Sequence, residues 1–158
     1  MKLTLFLFAA SLAVGVAARP SPIKVFVYTR LTEGNQFIDP DQKQRTDSVR
    51  DLNSWLGRKK SVELVSSIEQ AQVTVEVTAR GGQQTGVVST GCNRGNCTST
   101  NVAAAVDVEL RSGSYSLTIE GQSYPGQMMG IWMSAAGNVS SQIDNWIKQN
   151  HDRLIAQK

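Results

Sequence analysis

Cys92 and Cys97 are the two cysteines of the chain, and the four residues between them include Gly95 and Asn96. Glycine and asparagine are typical of turns, so the pattern favours a hairpin tip closed by a disulfide, worth about 2 kcal/mol for so short a loop. Free thiols or a metal site are the alternatives. A redox role would need C-x-x-C at the start of a helix, where the dipole lowers the thiol pKa. We therefore predict a disulfide between Cys92 and Cys97.

Four carboxylates form the second set of chemically capable residues: Glu76, Asp107, Glu109 and Glu120. Each lies where polar and apolar residues alternate, which places all four on one face of a sheet. A pair of such carboxylates could act as acid and base on a sugar. Because each of them alternates with Thr, Ser or Arg, as on a solvated face, we interpret them as surface residues. We predict no catalytic residue, no cofactor and no metal ligand.

His151 is the only histidine of the chain. It lies near the end of the last predicted helix, beside Asp152, where the helix dipole stabilises a cation. A Ser-His-Asp or Cys-His site would need the imidazole to face a cleft, and a frayed terminal turn is a poor place for one. We therefore interpret His151 as a surface residue.

An apolar cluster opens the last predicted helix and consists of Met128, Met129, Trp132 and Met133. Methionine side chains adapt to irregular surfaces, so such a cluster could dock a partner. More often a cluster of this kind belongs to the core, and we favour that interpretation.

These residues must be positioned by a mixture of strands and helices. Period-2 patterns predict strands over residues 23–30, 62–66, 73–80, 85–90, 102–111 and 115–120, and apolar stripes predict helices over residues 46–58 and 127–156. We expect a polar loop over residues 32–44, another around the cysteines, a strand end at Gly81-Gly82 and a tight turn at Ser112-Gly113. The fold class is then α+β, a two-layer sandwich. Its mixed, mostly antiparallel sheet has about five to six strands, with two helices packed on one face.

The alternation is clearest over residues 73–80. One face carries Val73, Val75, Val77 and Ala79, and the other carries Thr74, Glu76, Thr78 and Arg80. A strand of this kind belongs to a sheet with one solvated face.

The first 18 residues have the pattern of a secretory signal peptide. Lys2 precedes an uncharged, mostly apolar run over residues 3–16, and Val16-Ala17-Ala18 supplies small residues before Arg19. We predict a signal peptide over residues 1–18, a single α+β domain over residues 19–158, and export to the periplasm or the extracellular space. The export route also favours the disulfide.

The charge of the chain excludes one class of partner. The formal net charge is +3, and the basic residues are scattered apart from Arg58-Lys59-Lys60, which suits the last turn of a helix. No aromatic residues are interleaved with them, so we predict no nucleic-acid partner. No later apolar segment reaches the ~20 residues of a membrane helix, so we predict no membrane span in the mature chain.

One stretch of the sequence resembles known proteins. It runs Asp47-Ser48-x-x-Asp51-Leu52-x-x-x-Leu56, then Val62-Glu63-Leu64-Val65, then Glu69-x-Ala71-x-Val73-x-Val75-Glu76-Val77. The pattern resembles small exported bacterial proteins of an uncharacterised family, and the implied strand–helix–strand–strand core is similar to the TolB N-terminal domain and to CsgG-like envelope proteins. The resemblance implies a periplasmic setting and a binding or assembly role, and it brings no catalytic residues.

The sequence therefore predicts an exported, non-enzymatic binding or envelope-associated module with a protein or cell-envelope partner. The alternative is a small secreted hydrolase that uses carboxylates on the open face of the sheet. The oligomeric state is left open by the sequence.

Overall fold

The described part of the chain contains five strands, two helices and one 3₁₀ turn. A computed structural model describes residues 20–31, 40–92, 95–123 and 130–157, with side chains at these positions except residues 40, 83–92 and 95–102. The helices are α1 (Pro40–Leu56) and α2 (Ile131–Ala156), and the 3₁₀ turn is Ile68–Gln70. The strands are β1 (Ile23–Tyr28), β2 (Val62–Leu64), β3 (Val73–Cys92), β4 (Gly95–Ser112) and β5 (Tyr115–Gln122).

The strands form one mixed sheet in the order β2-β1-β3-β4-β5. β1 pairs in parallel with β2 and β3, as expected for strand–helix–strand crossovers, and the long ladders of β3 with β4 and of β4 with β5 are antiparallel. Both helices pack against the same face of the sheet. The predicted α+β sandwich is confirmed.

The hydrophobic core lies between that face and the two helices. α1 contributes Leu52 and Leu56, which are fully buried, and Val49 and Trp55 pack at its margin. The buried residues of α2 repeat every three or four positions, as the apolar stripe predicts: Ala135, Val139, Ile143, Trp146 and Ile147. The stacked rings of Tyr115 and Trp146, with centroids 5.4 Å apart, extend this core to the start of β5.

The turn between β4 and β5 is as tight as predicted. Ser112 pairs directly with Tyr115, and Gly113 has φ 57°, a left-handed conformation that favours glycine. The prediction of a hairpin at Ser112-Gly113 is confirmed.

α1 begins at Pro40, six residues before the predicted start, so the predicted loop over residues 32–44 is too long at its end. Proline suits the first helical position because its fixed φ is already helical and its missing N–H leaves no hydrogen bond unmade. Thr46, at the predicted start of the helix, donates its hydroxyl to the carbonyl of Gln42 inside the helix (2.9 Å). The ion pair of Lys43 with Asp47 (2.9 Å) supports this added first part.

Gly81 and Gly82 do not end the strand that contains them. β3 runs through both glycines to Cys92, where they pair with Ala105 and Ala104 of β4. The strand predicted separately over residues 85–90 is therefore the continuation of β3. The sheet keeps five strands, because an extended glycine pair can remain in a ladder despite its entropic cost.

A β-bulge at Thr78 reverses the two faces of β3. Val77 pairs with Val108, but Ala79, two residues on, pairs with the neighbouring Asp107, so the ladder register shifts. Beyond this point Ala79 is exposed and Arg80 lies on the helix side. The Arg80 guanidinium lies 4.2 Å from the ring centre of Trp132 and donates to the carbonyl of Gln44 (3.2 Å). The predicted placement of Ala79 and Arg80 is wrong.

Candidate functional site

The face of the sheet that the helices leave uncovered, called the open face below, carries a row of polar residues across four strands. Tyr28 on β1 is in register with Glu76 on β3, Glu76 with Glu109 on β4, and Glu109 with Thr118 on β5. Two carboxylates at directly opposed positions repel each other unless cations compensate them. Glu76 and Glu109 therefore require positive partners, and each of them forms an ion pair with an arginine.

Glu76 is buried, at 6% exposure, and its carboxylate is held by two residues from the end of β1. The Arg30 Nε lies 2.9 Å from Oε1, and the Tyr28 hydroxyl donates to Oε2 at 3.1 Å. Burial and the nearby Glu76 charge together raise the pKa of Tyr28, so its phenol stays protonated and continues to donate. The expectation that Glu76 is solvated is wrong, because Tyr28 and Arg30 cover it.

Glu109 is held from the opposite side of the row. Arg111 Nη2 lies 2.6 Å from its Oε2, and the Ser116 hydroxyl donates to Oε1 at 2.7 Å. These two hydrogen bonds lower the pKa of Glu109 to about 2, and the bond to Glu109 raises the pKa of Arg111. Glu109 is therefore ionised at any physiological pH and is unsuited to donate a proton to a substrate.

The Glu109 network predicts a specific loss of stability in acid. A carboxyl whose pKa falls from the usual 4.5 to about 2 on folding stabilises the fold fully above pH 4.5, and this contribution is lost as the pH falls toward 2. Glu109→Gln should therefore melt below the wild type near neutral pH, and the difference should shrink as the pH falls. Melting temperatures across this range measure it.

The matched control is Glu63→Gln, at an exposed carboxylate on β2. It should melt like the wild type throughout. A Glu109→Gln deficit that is as large at about pH 2 as near neutrality would contradict the assigned network.

Asp107 and Glu120 form a second opposed pair, between β4 and β5. Burial, and then the charge of Glu120, raise the pKa of Asp107, and the Asp107 Oδ1 is buried without a hydrogen-bond partner among the described residues. Glu120 is exposed and accepts a hydrogen bond from Gln122 Nε2 at 3.0 Å. Asp107 is thus the carboxyl of this face whose environment favours the protonated form.

One described cavity lies beside the open face, and it does not join two of these carboxylates. Within the described chain, a cavity of about 180 Å³ borders the face beside Arg30, Arg45 and Thr78, and it contains Glu76 as its only carboxylate. The described residues also contain no group of three or more His, Cys, Asp or Glu side chains that could hold a metal ion. The carboxylates thus lie along the face of the sheet, and Glu76 is the one that borders this cavity.

His151 lies in the last turns of α2, with its side chain 22% exposed, and it is in contact with the N-terminal segment. Its Nε2 lies 2.9 Å from the carbonyl oxygen of Ser21, and its Nδ1 lies 3.4 Å from Asp152 Oδ1. The surface position is as predicted, but the turn is not a frayed end. His151 fastens residues 20–22 to the helix.

His151 should titrate above its ordinary value. The Ser21 carbonyl, and then the Asp152 carboxylate, raise its pKa from 6.5, because both accept hydrogen bonds from the protonated ring. The stability that the proton of His151 contributes is therefore complete below pH 6.5 and is lost as the pH rises through the folded-state pKa. Since this is the only histidine of the chain, proton NMR gives its midpoint directly.

The same titration in denaturant is the internal control and should return the midpoint to about 6.5. A folded-state midpoint at or below the denatured one would show that the link to Ser21 does not form in solution.

The cysteines lie within β3 and β4, so the predicted polar loop around them is wrong. Cys92 is opposite Gly95 and Cys97 is opposite Thr90, which places the cysteines at diagonal positions of one ladder face. Diagonal Cα atoms are about 7–8 Å apart, at the upper limit for a disulfide. The cysteine side chains lie outside the described ones, and the disulfide stays a prediction.

The methionine cluster is described in part, since Met128 and Met129 lie outside the described residues. Trp132 packs against the core and stacks on Arg80, as the core interpretation requires. Met133 is 38% exposed, and its carbonyl accepts a hydrogen bond from Trp55 Nε1 (2.9 Å).

The groups that hold the carboxylates were not predicted from the sequence: Tyr28, Arg30 and Arg111. The alternating pattern places Tyr28 and Arg111 on the same face as Glu76 and Glu109, and this signal was available. Arg30 lies beyond the end of β1, where no pattern fixes its direction.

Comparison with known proteins finds solved structures of low similarity and no matching family. No protein-family model matches the sequence, and no curated protein matches it. A Helicobacter pylori protein, described as a homologue of a neuraminyllactose-binding hemagglutinin, is 13% identical, with a TM-score of 0.42 over 86% of this chain and 89% of that chain. A Xanthomonas campestris protein of family DUF330 is 10% identical, with a TM-score of 0.39 over 87% of this chain and 91% of that chain.

These comparisons do not support the specific resemblance to TolB or to CsgG-like proteins.

Proposed function

We propose that this chain is an exported binding module that docks a protein of the cell envelope on its open face. The observation that carries the proposal is the row of Tyr28, Glu76 and Glu109, in which each carboxylate is already neutralised by an arginine of the same chain. A carboxylate that is already paired with an arginine costs less to cover with a partner than an unpaired one does.

The proposed export rests on the signal-peptide pattern of residues 1–18, which leaves residues 19–158 as the mature domain. No helix among the described residues is long and apolar enough to cross a membrane.

The geometry of the row suits recognition of a large, flat partner. Tyr28, Arg30 and Arg111 are held by hydrogen bonds or ion pairs, so ordering them on binding costs less entropy than for free side chains. Tyrosine and arginine are also enriched in protein–protein interfaces. A low-pKa Glu109 and a covered Glu76 are of little use for acid–base chemistry, but they fix the orientation of the arginines.

The test is capture from an envelope fraction with matched variants. Thr118→Arg places a long cation on the exposed β5 position opposite Glu109, and Asn145→Arg makes the same addition at an exposed position of α2. Wild type and Asn145→Arg should retain the same protein, and Thr118→Arg should lose it. Recovery of that protein by all three chains would contradict docking on the open face.

A second candidate function is a secreted hydrolase, and Asp107 is the observation that favours it. A carboxyl whose pKa is raised by burial, opposite a second carboxylate, has the properties of a general acid. Chromogenic glycosides and esters assayed with wild type and Asp107→Asn would test it. Turnover by the wild type that is absent in Asp107→Asn would establish a hydrolase function. Absence of turnover by the wild type would rule out this candidate function.

A further inference from the structure

The two longest strands extend together well past the rest of the sheet. In the described chain, β1 pairs with β3 only as far as Glu76, and β5 pairs with β4 only as far as Ala105. One further backbone bond joins Ser123 N–H to the carbonyl of Ala104 (2.8 Å). Beyond these points, residues 83–92 and 95–103 pair only with each other among the residues that the structure describes, and we call this part the ribbon.

The ribbon is long for a two-stranded structure. Its ladder includes nine paired positions between Gln83 and Cys92, which at ~3.4 Å per residue gives it a length of about 30 Å. In a two-stranded ribbon, each strand directs half of its backbone N–H and C=O groups away from its partner. Such groups form a template for another strand, and isolated two-stranded ribbons are at best marginally stable.

The sequence of the ribbon has almost none of the charged residues, and none of the prolines, that protect a free edge. Between residues 83 and 103 the only charged residue is Arg94, and proline is absent, whereas 18% of the whole chain is charged. The remaining residues are mainly Thr, Ser, Val, Asn, Gln and Gly. Natural proteins protect exposed edges with lysine, proline or inward-pointing charges. Here the residues between the glycines include β-branched types that favour strand pairing.

We propose that the ribbon is a pairing edge for the ribbon of a second copy of this chain. The sequence favours a second copy as the partner. Its ribbon has an edge of the same length, and this edge carries almost no charge that would repel the first. A two-fold axis makes the two like strands antiparallel. This interface is separate from the open face and does not depend on the proposed function.

The arrangement also predicts how the cysteines behave in the dimer. Cys92 and Cys97 lie near the ribbon tip, and the antiparallel pairing separates the tips of the two copies. The dimer is therefore held by main-chain hydrogen bonds, with no disulfide between copies.

The experiment is sedimentation equilibrium of the purified mature chain, residues 19–158, over a wide concentration range, with and without reductant. The ribbon variant is Val87→Lys/Val88→Lys, at neighbouring positions that lie on opposite faces of β3 and pair with Thr100 and Ser99. The control is Asn145→Lys/Gln149→Lys, which adds the same charge at exposed positions of α2.

Wild type and control should dimerise with the same affinity in both conditions, and the ribbon variant should dimerise roughly tenfold or more weakly. A monomeric wild type, a ribbon variant that dimerises normally, or a dimer that reductant dissociates would each overturn the proposal. Thermal unfolding of the ribbon variant should still be cooperative, since the core between sheet and helices lies outside the ribbon. Loss of that transition together with loss of the dimer would assign the defect to folding and count against the proposal.

Discussion

Gly121→Ala should destabilise the protein by about 3 kcal/mol, more than any other single-methyl addition we expect. Gly121 is buried on β5, and α2 crosses directly over it. A Cβ at this position would lie 2.8 Å from the carbonyl oxygen of Ala135 and would overlap the Val139 side chain. Backbone of a helix cannot move aside as a flexible side chain can, so the helix must shift and the core beneath it must loosen.

The measurement is the free energy of unfolding from denaturant titration, and Gly81→Ala is the matched control. Gly81 is exposed on β3, and a Cβ there would have no atom within 4 Å. Its replacement should change stability by ~0.5 kcal/mol or less, and in the stabilising direction if the unfolded chain loses entropy. Equal effects of the two substitutions would show that α2 does not lie this close to β5.

The architecture was predictable because the buried residues of each strand and helix recur at the regular spacing of that element in the sequence. Val75 and Val77, two residues apart, and Val139 and Ile143, four apart, are fully or almost fully buried, as their spacing indicates. These patterns show which face of each strand or helix is buried. The helices and the sheet then form two layers because their apolar faces pack against each other. The pairing of strands in parallel around α1 followed from the chirality of the crossover.

The bulge at Thr78 could not be predicted in the same way. An inserted residue changes the face of every residue after it, yet nothing in the residue types near Thr78 differs from an ordinary solvated strand. Arg80 was therefore placed on the wrong face. The continuation of β3 through Gly81-Gly82 was missed for a related reason, since local propensity favours a break and the ladder with β4 overrides it.

Part of the candidate site was predictable from the sequence. The alternation of polar and apolar residues shows on which face of the sheet a residue lies, but it does not show which residue of the neighbouring strand lies opposite it. The pattern placed Glu76, Asp107, Glu109 and Glu120 on the open face. It did not show that Glu76 is opposite Glu109 or that Asp107 is opposite Glu120. Those pairings decide the chemistry of the face, because they determine which carboxylate needs an arginine and which is pushed toward its protonated form.

Asp144→Ala should destabilise the protein by about 2 kcal/mol, because it removes the acceptor that joins α2 to the start of β2. Asp144 is 7% exposed; Ser61 Oγ donates to its Oδ1, and Lys148 Nζ lies 2.8 Å from its Oδ2. The carbonyl of the same Ser61 accepts the N–H of Ile23 (2.9 Å), so the junction also holds the first residue of β1. Denaturant titration measures the loss.

The pH dependence of the stability of Asp144→Ala shows whether the loss comes from the charge of the carboxylate or from its packing contacts alone. Burial alone would raise the pKa of Asp144, but the hydrogen bonds from Lys148 and Ser61 outweigh it and hold the pKa below its usual 3.8. The carboxylate therefore stabilises the fold above pH 3.8, and the wild type loses that contribution as the pH falls through the folded-state pKa. The deficit of Asp144→Ala should shrink over the same range. Asp152→Ala, at a fully exposed carboxylate two turns along α2, should cost ~0.5 kcal/mol or less, and a larger loss there than at Asp144 would refute the assigned junction.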